Sequence, residues 1–169
     1  MNETQTKIPI ILPMSGTCIS PAGTPEQIEQ VRLLFREYAE ATGAGECFQG
    51  FAREVANLPG PYGLPTGQLM LAELDGCSAG CVALRKLDDG ISEMKRLYVR
   101  PAFRGRNLGR QLAESIITDA RRIGYRAMRL DTLSSMVAAR ALYQSLGFRP
   151  MPRYNDNPGA GVIYLELRL

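Results

Sequence analysis

The stretch Val99-Arg100-Pro101-Ala102-Phe103-Arg104-Gly105-Arg106-Asn107-Leu108-Gly109-Arg110-Gln111-Leu112 constrains this chain more than any other. A strand ends there, and a basic, glycine-containing turn opens into a long amphipathic helix. The first turn of a helix has backbone N–H groups without intrahelical partners and carries the positive end of the macrodipole, so phosphate oxygens bind there readily. Arg104, Arg106 and Arg110 add full charges around that position. Gly105 and Gly109 permit unusual backbone angles and close approach of the main chain to a ligand. The stretch predicts a phosphate-bearing ligand. It matches neither Gly-x-x-x-x-Gly-Lys-Ser/Thr nor Gly-x-Gly-x-x-Gly, which disfavours a nucleoside triphosphatase loop and a dinucleotide fingerprint.

Composition narrows the classes of function. With 45% hydrophobic and 22% charged residues in 169, the chain has enough apolar material for one full core. Twenty basic against seventeen acidic residues leave +3, too slight to imply a nucleic-acid partner, although the arginines cluster between Arg96 and Arg129. No apolar run reaches the length of a membrane helix, and residues 1–13 lack a secretory pattern, so a cytoplasmic protein without a membrane partner is expected. The chain has no histidine, which removes His-based triads and most transition-metal sites. Cys77 and Cys81 are the only close cysteine pair among Cys18, Cys47, Cys77 and Cys81. They read as reduced, partly buried thiols straddling a turn, with no metal expected.

In chain order, residues 1–13 read as an extended arm and 14–169 as one domain. A strand over 16–20 precedes Thr24-Pro25-Glu26-Gln27, an N-cap, a first-position proline and a capping-box glutamine. Ile28, Val31, Phe35, Tyr38 and Thr42 then recur at helical spacing up to Gly43. Phe48, Phe51, Val55 and Leu58 repeat that pattern in a second helix, and residues 59–67 form a constrained proline- and glycine-rich loop. Segments 68–74, 79–87 and 91–100 read as an antiparallel meander turning at Asp75-Gly76 and Asp88-Asp89-Gly90. The helix after the basic turn presents Leu108, Leu112, Ile116, Ala120 and Ile123 on one face, and a strand over 126–132 follows as a parallel neighbour. A last helix, started by Ser134 or Ser135 with Met136, Ala139, Leu142 and Leu146 on one face, ends at Gly147, before strands near 148–154 and 161–169. The fold class is α+β, a mixed, mostly antiparallel sheet of about seven strands with about four helices.

Two motifs in this order resemble those of the GNAT N-acetyltransferase superfamily. Arg104-Gly105-Arg106-Asn107-Leu108-Gly109 is similar to the family's pyrophosphate loop, Gln/Arg-x-x-Gly-x-Gly/Ala, with Asn107 where glycine is usual. Ala139-Arg140-Ala141-Leu142-Tyr143-Gln144-Ser145-Leu146-Gly147-Phe148 is similar to its A-x-x-L-Y-x-x-x-G-F helix, with Met136 in place of a common asparagine. Asparagine best tolerates left-handed backbone among non-glycine residues, so the loop keeps its shape. The resemblance implies that the strand Glu93-Met94-Lys95-Arg96-Leu97-Tyr98-Val99 splays from its parallel neighbour. Leu97, Tyr98 and Val99 would then offer unpaired backbone to the pantetheine arm of acetyl-CoA. With Arg104, Gly105, Arg106, Asn107, Leu108, Gly109, Arg110 and Ala139 they form the implied cofactor set.

The reaction implied is acetyl transfer from acetyl-CoA to a primary amine by direct attack. Tyr143 is the candidate acid for the leaving thiolate, and Glu93, directly or through water, the candidate base. A main-chain N–H near Leu97 is the candidate oxyanion donor. Loops 59–67 and 155–161 would wall a closed pocket for a small-molecule amine. A noncatalytic acyl-CoA-binding module and a protein N-terminal or lysine acetyltransferase are the alternatives, and a homodimer is left open.

Overall fold

A computed structural model of the protein describes residues 16–43 and 50–169. The expected arm at 1–13, Cys47 and Phe48 lie outside the described residues. Eleven regular elements follow in order: β1 (Thr17–Pro21), α1 (Pro25–Thr42), α2 (Phe51–Ala56), β2 (Gln68–Leu74), β3 (Cys77–Asp88), β4 (Ile91–Val99), α3 (Leu108–Ile123), β5 (Ala127–Leu133), α4 (Val137–Ser145), β6 (Arg149–Pro150) and β7 (Val162–Arg168). Short 3₁₀ turns occupy Gly60–Tyr62 and Pro101–Phe103. The strands form one seven-stranded sheet in the order β1-β2-β3-β4-β5-β7-β6. Among the described residues only β4 and β5 pair in parallel, as expected of the α+β class. No helix among the described residues is long and apolar enough to cross a membrane.

Alternation along the central strands splits the core into two layers. Met70 and Ala72 of β2 and Val82 and Leu84 of β3 join the buried face of α3, with Leu112, Ala113, Ile116 and Ala120. Their neighbours Leu69, Leu71, Cys81 and Ala83 face the other way, onto Val31, Leu34 and Phe35 of α1. A strand covered on both faces is buried along its length, as β2 is at all but Glu73 and β3 is over residues 78–84. Local chemistry sets the ends. Thr24 Oγ1 accepts from Gln27 N–H at 3.3 Å while Gln27 Oε1 accepts from Thr24 N–H at 3.1 Å, the reciprocal capping box. At the β2–β3 turn, Asp75 (φ 51°) and Gly76 (φ 77°) both take left-handed angles, which a tight two-residue hairpin favours.

Three local expectations are corrected. Cys77 and Cys81 do not straddle a turn: both lie on β3, Cys77 exposed and Cys81 buried. The last helix is not capped by Ser134 or Ser135. Met136 is its N-cap, without a side-chain cap bond, and the Ser134 N–H bonds Gly161 O at 2.8 Å. The strand expected near 148–154 shrinks to Arg149–Pro150, since Pro150 and Pro152 have no N–H for a ladder.

The feature that positions the site is a parting of the sheet. β4 and β5 pair only through Ile91↔Ala127, Ser92↔Met128 and Glu93↔Arg129, and beyond those residues the strands diverge. On its other edge β4 bulges against β3, where Cys81 faces Tyr98 but Ala83 faces Lys95. Arg96 sits in that bulge at φ 57°. A bulge re-aims the strand and sharpens its twist, so the second half of β4 leaves its parallel neighbour with one backbone edge unpaired.

Candidate active site

The first cavity is a groove of ≈ 840 Å³ running from the parted end of β4 to the start of α3. It is lined by Leu97, Tyr98, Val99, Arg104, Gly105, Asn107, Leu108, Gly109, Ala139 and Tyr143, all from the expected cofactor and catalytic sets. Asn107 caps α3 at φ 62°, ψ 11°, after Gly105 at φ 76°. The first intrahelical bond here runs from Gln111 N–H to Asn107 O at 3.1 Å, so the amides of Leu108, Gly109 and Arg110 have no acceptor within the helix. A Cβ added at Gly109 would meet protein no nearer than 3.8 Å, so the fold itself leaves room there. Arg104 lies beside this cradle, its Nε donating to Val99 O at 3.0 Å. Arg106 is exposed and outside the groove lining. Arg110 is also outside it, turned along the helix to Glu114 Oε1 (3.1 Å) and across to Ser145 Oγ (2.5 Å).

The second cavity, ≈ 80 Å³, fills the wedge between the parted strands. Tyr143 forms a wall of both groove and wedge, together with Leu97, Leu133 and Met136. Its ring is fixed by the end of α4: Gly147 N–H donates to Gln144 O (3.1 Å) and Phe148 N–H to Tyr143 O (3.0 Å), a two-bond helix end with Gly147 at φ 95°. That closure brings the Phe148 ring edge-on to Tyr143, 5.8 Å between centroids. Burial pushes the Tyr143 phenol pKa well above its ordinary value, so the hydroxyl keeps its proton at neutral pH.

A third cavity of ≈ 540 Å³ opens outward from the wedge, sharing Lys95, Arg96, Asp131 and Asn157 with it. Its walls are ion pairs. Arg96 is 5% exposed and grips Glu54 through Nε (3.0 Å) and Nη2 (2.8 Å), with its guanidinium over the rings of Tyr38 and Phe51. Tyr62 O–H, from loop 59–67, donates to the same carboxylate at 2.7 Å. Burial opposes ionisation of Glu54, but Arg96, Tyr62 and Lys95 outweigh it and hold the pKa below the usual carboxylate range. Asp131 on β5 accepts from the side-chain amides of Asn155 (2.8 Å) and Asn157 (3.0 Å) and lies 3.6 Å from Lys95 Nζ. There too burial is outweighed, by Lys95, the two amides and Arg96, and the pKa is lowered.

Glu93 is fully buried and lines none of these cavities. Its Oε2 takes Arg85 Nε (2.6 Å) and Nη2 (2.5 Å), and its Oε1 takes Tyr154 O–H (2.9 Å), with Lys95 Nζ at 3.5 Å. Sequence reasoning missed Glu54, Arg96 and Asp131. Asp131 carried a signal, an acid between Leu130 and Leu133 in a central strand, whereas the Glu54–Arg96 pair spans 42 positions that no local pattern connects.

This fold and groove define a class, and the comparisons with known proteins identify it. The Acetyltransferase (GNAT) family profile matches residues 29–148, and the chain belongs to the GNAT acetyltransferase family. It is 38% identical to an uncharacterised N-acetyltransferase of Schizosaccharomyces pombe over 157 residues, 92% of this chain and 96% of that protein. It is 36% identical to human N-acetylaspartate synthetase over 138 residues, 80% of this chain and 43% of that protein. Among solved structures it resembles the PaiA N-acetyltransferase of Thermoplasma acidophilum, which is in complex with coenzyme A. That likeness has a TM-score of 0.70 at 16% identity, covering 91% of this chain and 99% of that one.

Proposed function

We propose that the protein transfers the acetyl group of acetyl-CoA to a primary amine of a small molecule, inside one continuous passage. The observation that carries this reading is shared walls. Tyr143 belongs to both groove and wedge, and Asp131 and Asn157 to both wedge and outer cavity. Two substrates entering from opposite ends therefore meet beside a protonated phenol.

The residues fit acetyl-CoA on their own geometry. Free amides at the start of α3, beside Arg104, suit a diphosphate, and the unpaired edge of β4 suits an amide-bearing arm. When bound, acetyl-CoA supplies a thioester carbonyl open to attack. Arg106 stands near enough in sequence to add charge from the rim, while Arg110 is occupied by Glu114 and Ser145. Arg104→Ala with Arg106→Ala should weaken acetyl-CoA binding by about 10-fold or more, Arg110→Ala by less, and neither should match that loss on a pantetheine thioester. Equal losses on both ligands in calorimetry would move the diphosphate elsewhere.

An alkylammonium of pKa about 10.4 costs about 4 to 5 kcal/mol to deprotonate at pH 7, so the site must handle that proton. Asp131, a carboxylate open to both wedge and outer cavity, takes the ammonium and relays its proton to solvent. Glu93, which lines none of the three cavities, serves behind it as the anchor of Arg85, Lys95 and Tyr154. The amine nitrogen then bonds to the carbonyl carbon as the carbon–sulfur bond breaks, a main-chain N–H near Leu97 facing the developing oxyanion. Tyr143 gives its proton to the departing thiolate, and the proton that the new amide nitrogen sheds restores the phenol.

The test is acetyl-CoA with a panel of primary amines, read as thiol release and acetylated product by mass. Turnover of small amines is expected. Binding of acetyl-CoA without turnover of any amine would make the protein a noncatalytic binding module, and turnover of peptides alone would make it a protein-modifying enzyme.

A further inference from the structure

We propose that the amine accepted at this site also carries a carboxylate, held by Arg53 and Arg85 at the mouth of the outer cavity while Asp131 takes its ammonium. The acceptor is then an amino acid. This rests on the transferase reading above and names its substrate class.

The argument is a balance of charge and of guanidinium edges. The outer cavity is lined by Arg53, Arg85, Lys95 and Arg96 and by Glu54, Asp131 and Asp156. Glu54 is matched by Arg96 and Asp156 by Arg153 from outside the lining, while Asp131 shares Lys95 with Glu93, at 3.6 and 3.5 Å, and so keeps a carboxylate open to a second cation. Arg85 is balanced by Glu93 behind the wall. One cation is left over, since Arg53 has no ion pair among the described residues and stands exposed at the rim. The unmet demand at that rim is therefore for an anion.

Arg85 shows the form that demand takes. A guanidinium has five N–H groups arranged in two usable edges. Glu93 takes the Nε/Nη2 edge, at 2.6 and 2.5 Å, and so fixes the plane of the group. The opposite edge, Nη1 with the second Nη2 hydrogen, has no acceptor among the described residues, and the side chain is 34% exposed. A pre-oriented two-donor edge on a cavity wall matches a planar carboxylate.

Both ends of the ligand are then accounted for by adjoining groups. Arg85 joins Glu93, Glu93 lies 3.5 Å from Lys95, and Lys95 lies 3.6 Å from Asp131. Arg53, Arg85 and Asp131 line the same cavity, so the anion-seeking edge and the ammonium-seeking carboxylate face one space. A diamine would place its second cation against Arg53 and Arg85. A hydrocarbon amine would leave their donors without a new acceptor as the ligand displaces water.

The experiment sets L-amino acids against their carboxamides and their decarboxylated amines, measured as kcat/KM for thiol release from acetyl-CoA. The preferred acid should exceed its own carboxamide by on the order of 10- to 100-fold, the range of a charge-assisted contact. Arg53→Gln, which leaves the buried Glu93 pair intact, should pull that ratio toward unity, as should Arg85→Gln combined with Glu93→Gln. A carboxamide used as well as its acid, or a ratio unmoved by Arg53→Gln, overturns the proposal. If no amine releases thiol, the transferase reading fails, and calorimetry of the same ligands on coenzyme A-loaded protein still judges the site. Acids bound tighter than carboxamides, with the difference lost in Arg53→Gln, uphold it, and equal binding overturns it.

Discussion

The groove and the outer cavity flank the same tyrosine and are made of different material. The groove is mostly backbone: the unpaired edge of β4, the left-handed Gly105 and Asn107, and the free amides of α3, with small or apolar side chains around them. The outer cavity is mostly side chains, joined across α2, β3, β4, β5 and the loop at 155–157 by ion pairs and amides. A backbone cradle reads a feature that every bearer of the ligand shares, such as a diphosphate. A wall of paired charges can be re-edited one residue at a time without disturbing the sheet. The contrast assigns the invariant substrate to the groove and the variable one to the cavity, with Tyr143 as the hinge of the comparison.

The largest effect is expected at that hinge. Tyr143→Phe keeps the ring and its edge-on contact with Phe148 and removes one hydroxyl, so the end of α4 should hold its place. Loss of the acid should lower kcat by about 10²-fold or more with acetyl-CoA affinity little changed, and the defect should shrink with a more acidic leaving thiol. Because burial raises the pKa of this phenol, the wild-type rate should show no loss from its ionisation below about pH 10. A Phe variant with unaltered kcat, where chemistry limits the rate, would make Tyr143 a wall shared by two cavities and nothing more.

Next in size is the pair that braces the outer cavity. Glu54→Gln removes the carboxylate that the buried Arg96 guanidinium grips, and should cost about 2 kcal/mol in urea unfolding at pH 7. The pH dependence follows from the sign of the shift. The folded pKa of Glu54 lies below its ordinary value, so its contribution is complete above the unfolded pKa and disappears as pH falls through the folded one. The gap between wild type and variant should therefore be full at neutral pH and close below about pH 4. Asp131 shifts the same way in both proteins and cancels from that difference. A gap that persists unchanged at low pH would make the interaction one of packing rather than charge.

The same division of material decides what the chain discloses before it folds. Thr24 with Gln27, Asp75 with Gly76, and Gly147 with Phe148 act over a few positions, so the α1 cap, the β2–β3 turn and the α4 end were all readable. The helix-start end of the groove was readable for the same reason, while its β4 edge came only with the family resemblance. Arg96 at φ 57° gave no sign, because groups distant in sequence, Glu54 and the bulge against β3 among them, hold an arginine there. Glu93 shows the converse. Its charge in a central strand was conspicuous, but its partners Arg85 and Tyr154 come from another strand and from the late loop. The start of α4 misled because Met136 caps without a polar side chain.

The smallest expected effect tests the claim that the groove works through backbone. Asn107 holds φ 62° and caps α3, yet its side chain makes no capping bond, so its conformation and not its amide is in use. Asn107→Gly adopts that angle freely and should stay within about 0.5 kcal/mol of wild type in stability, with acetyl-CoA affinity retained. Asn107→Ala must carry a Cβ into the left-handed region, at a cost of about 1 kcal/mol, and should bind acetyl-CoA about fivefold more weakly as the turn relaxes. Asn107→Asp separates shape from charge. Aspartate favours the positive end of the helix in the free protein, so stability should hold or rise, while its carboxylate opposes an incoming diphosphate and should lower affinity about tenfold. Calorimetry with acetyl-CoA should thus rank Gly, Ala and Asp in that order, and unfolding should rank Ala last. Alanine binding as tightly as glycine would show that the grip does not depend on the left-handed turn, and the groove would then be a side-chain site like its neighbour.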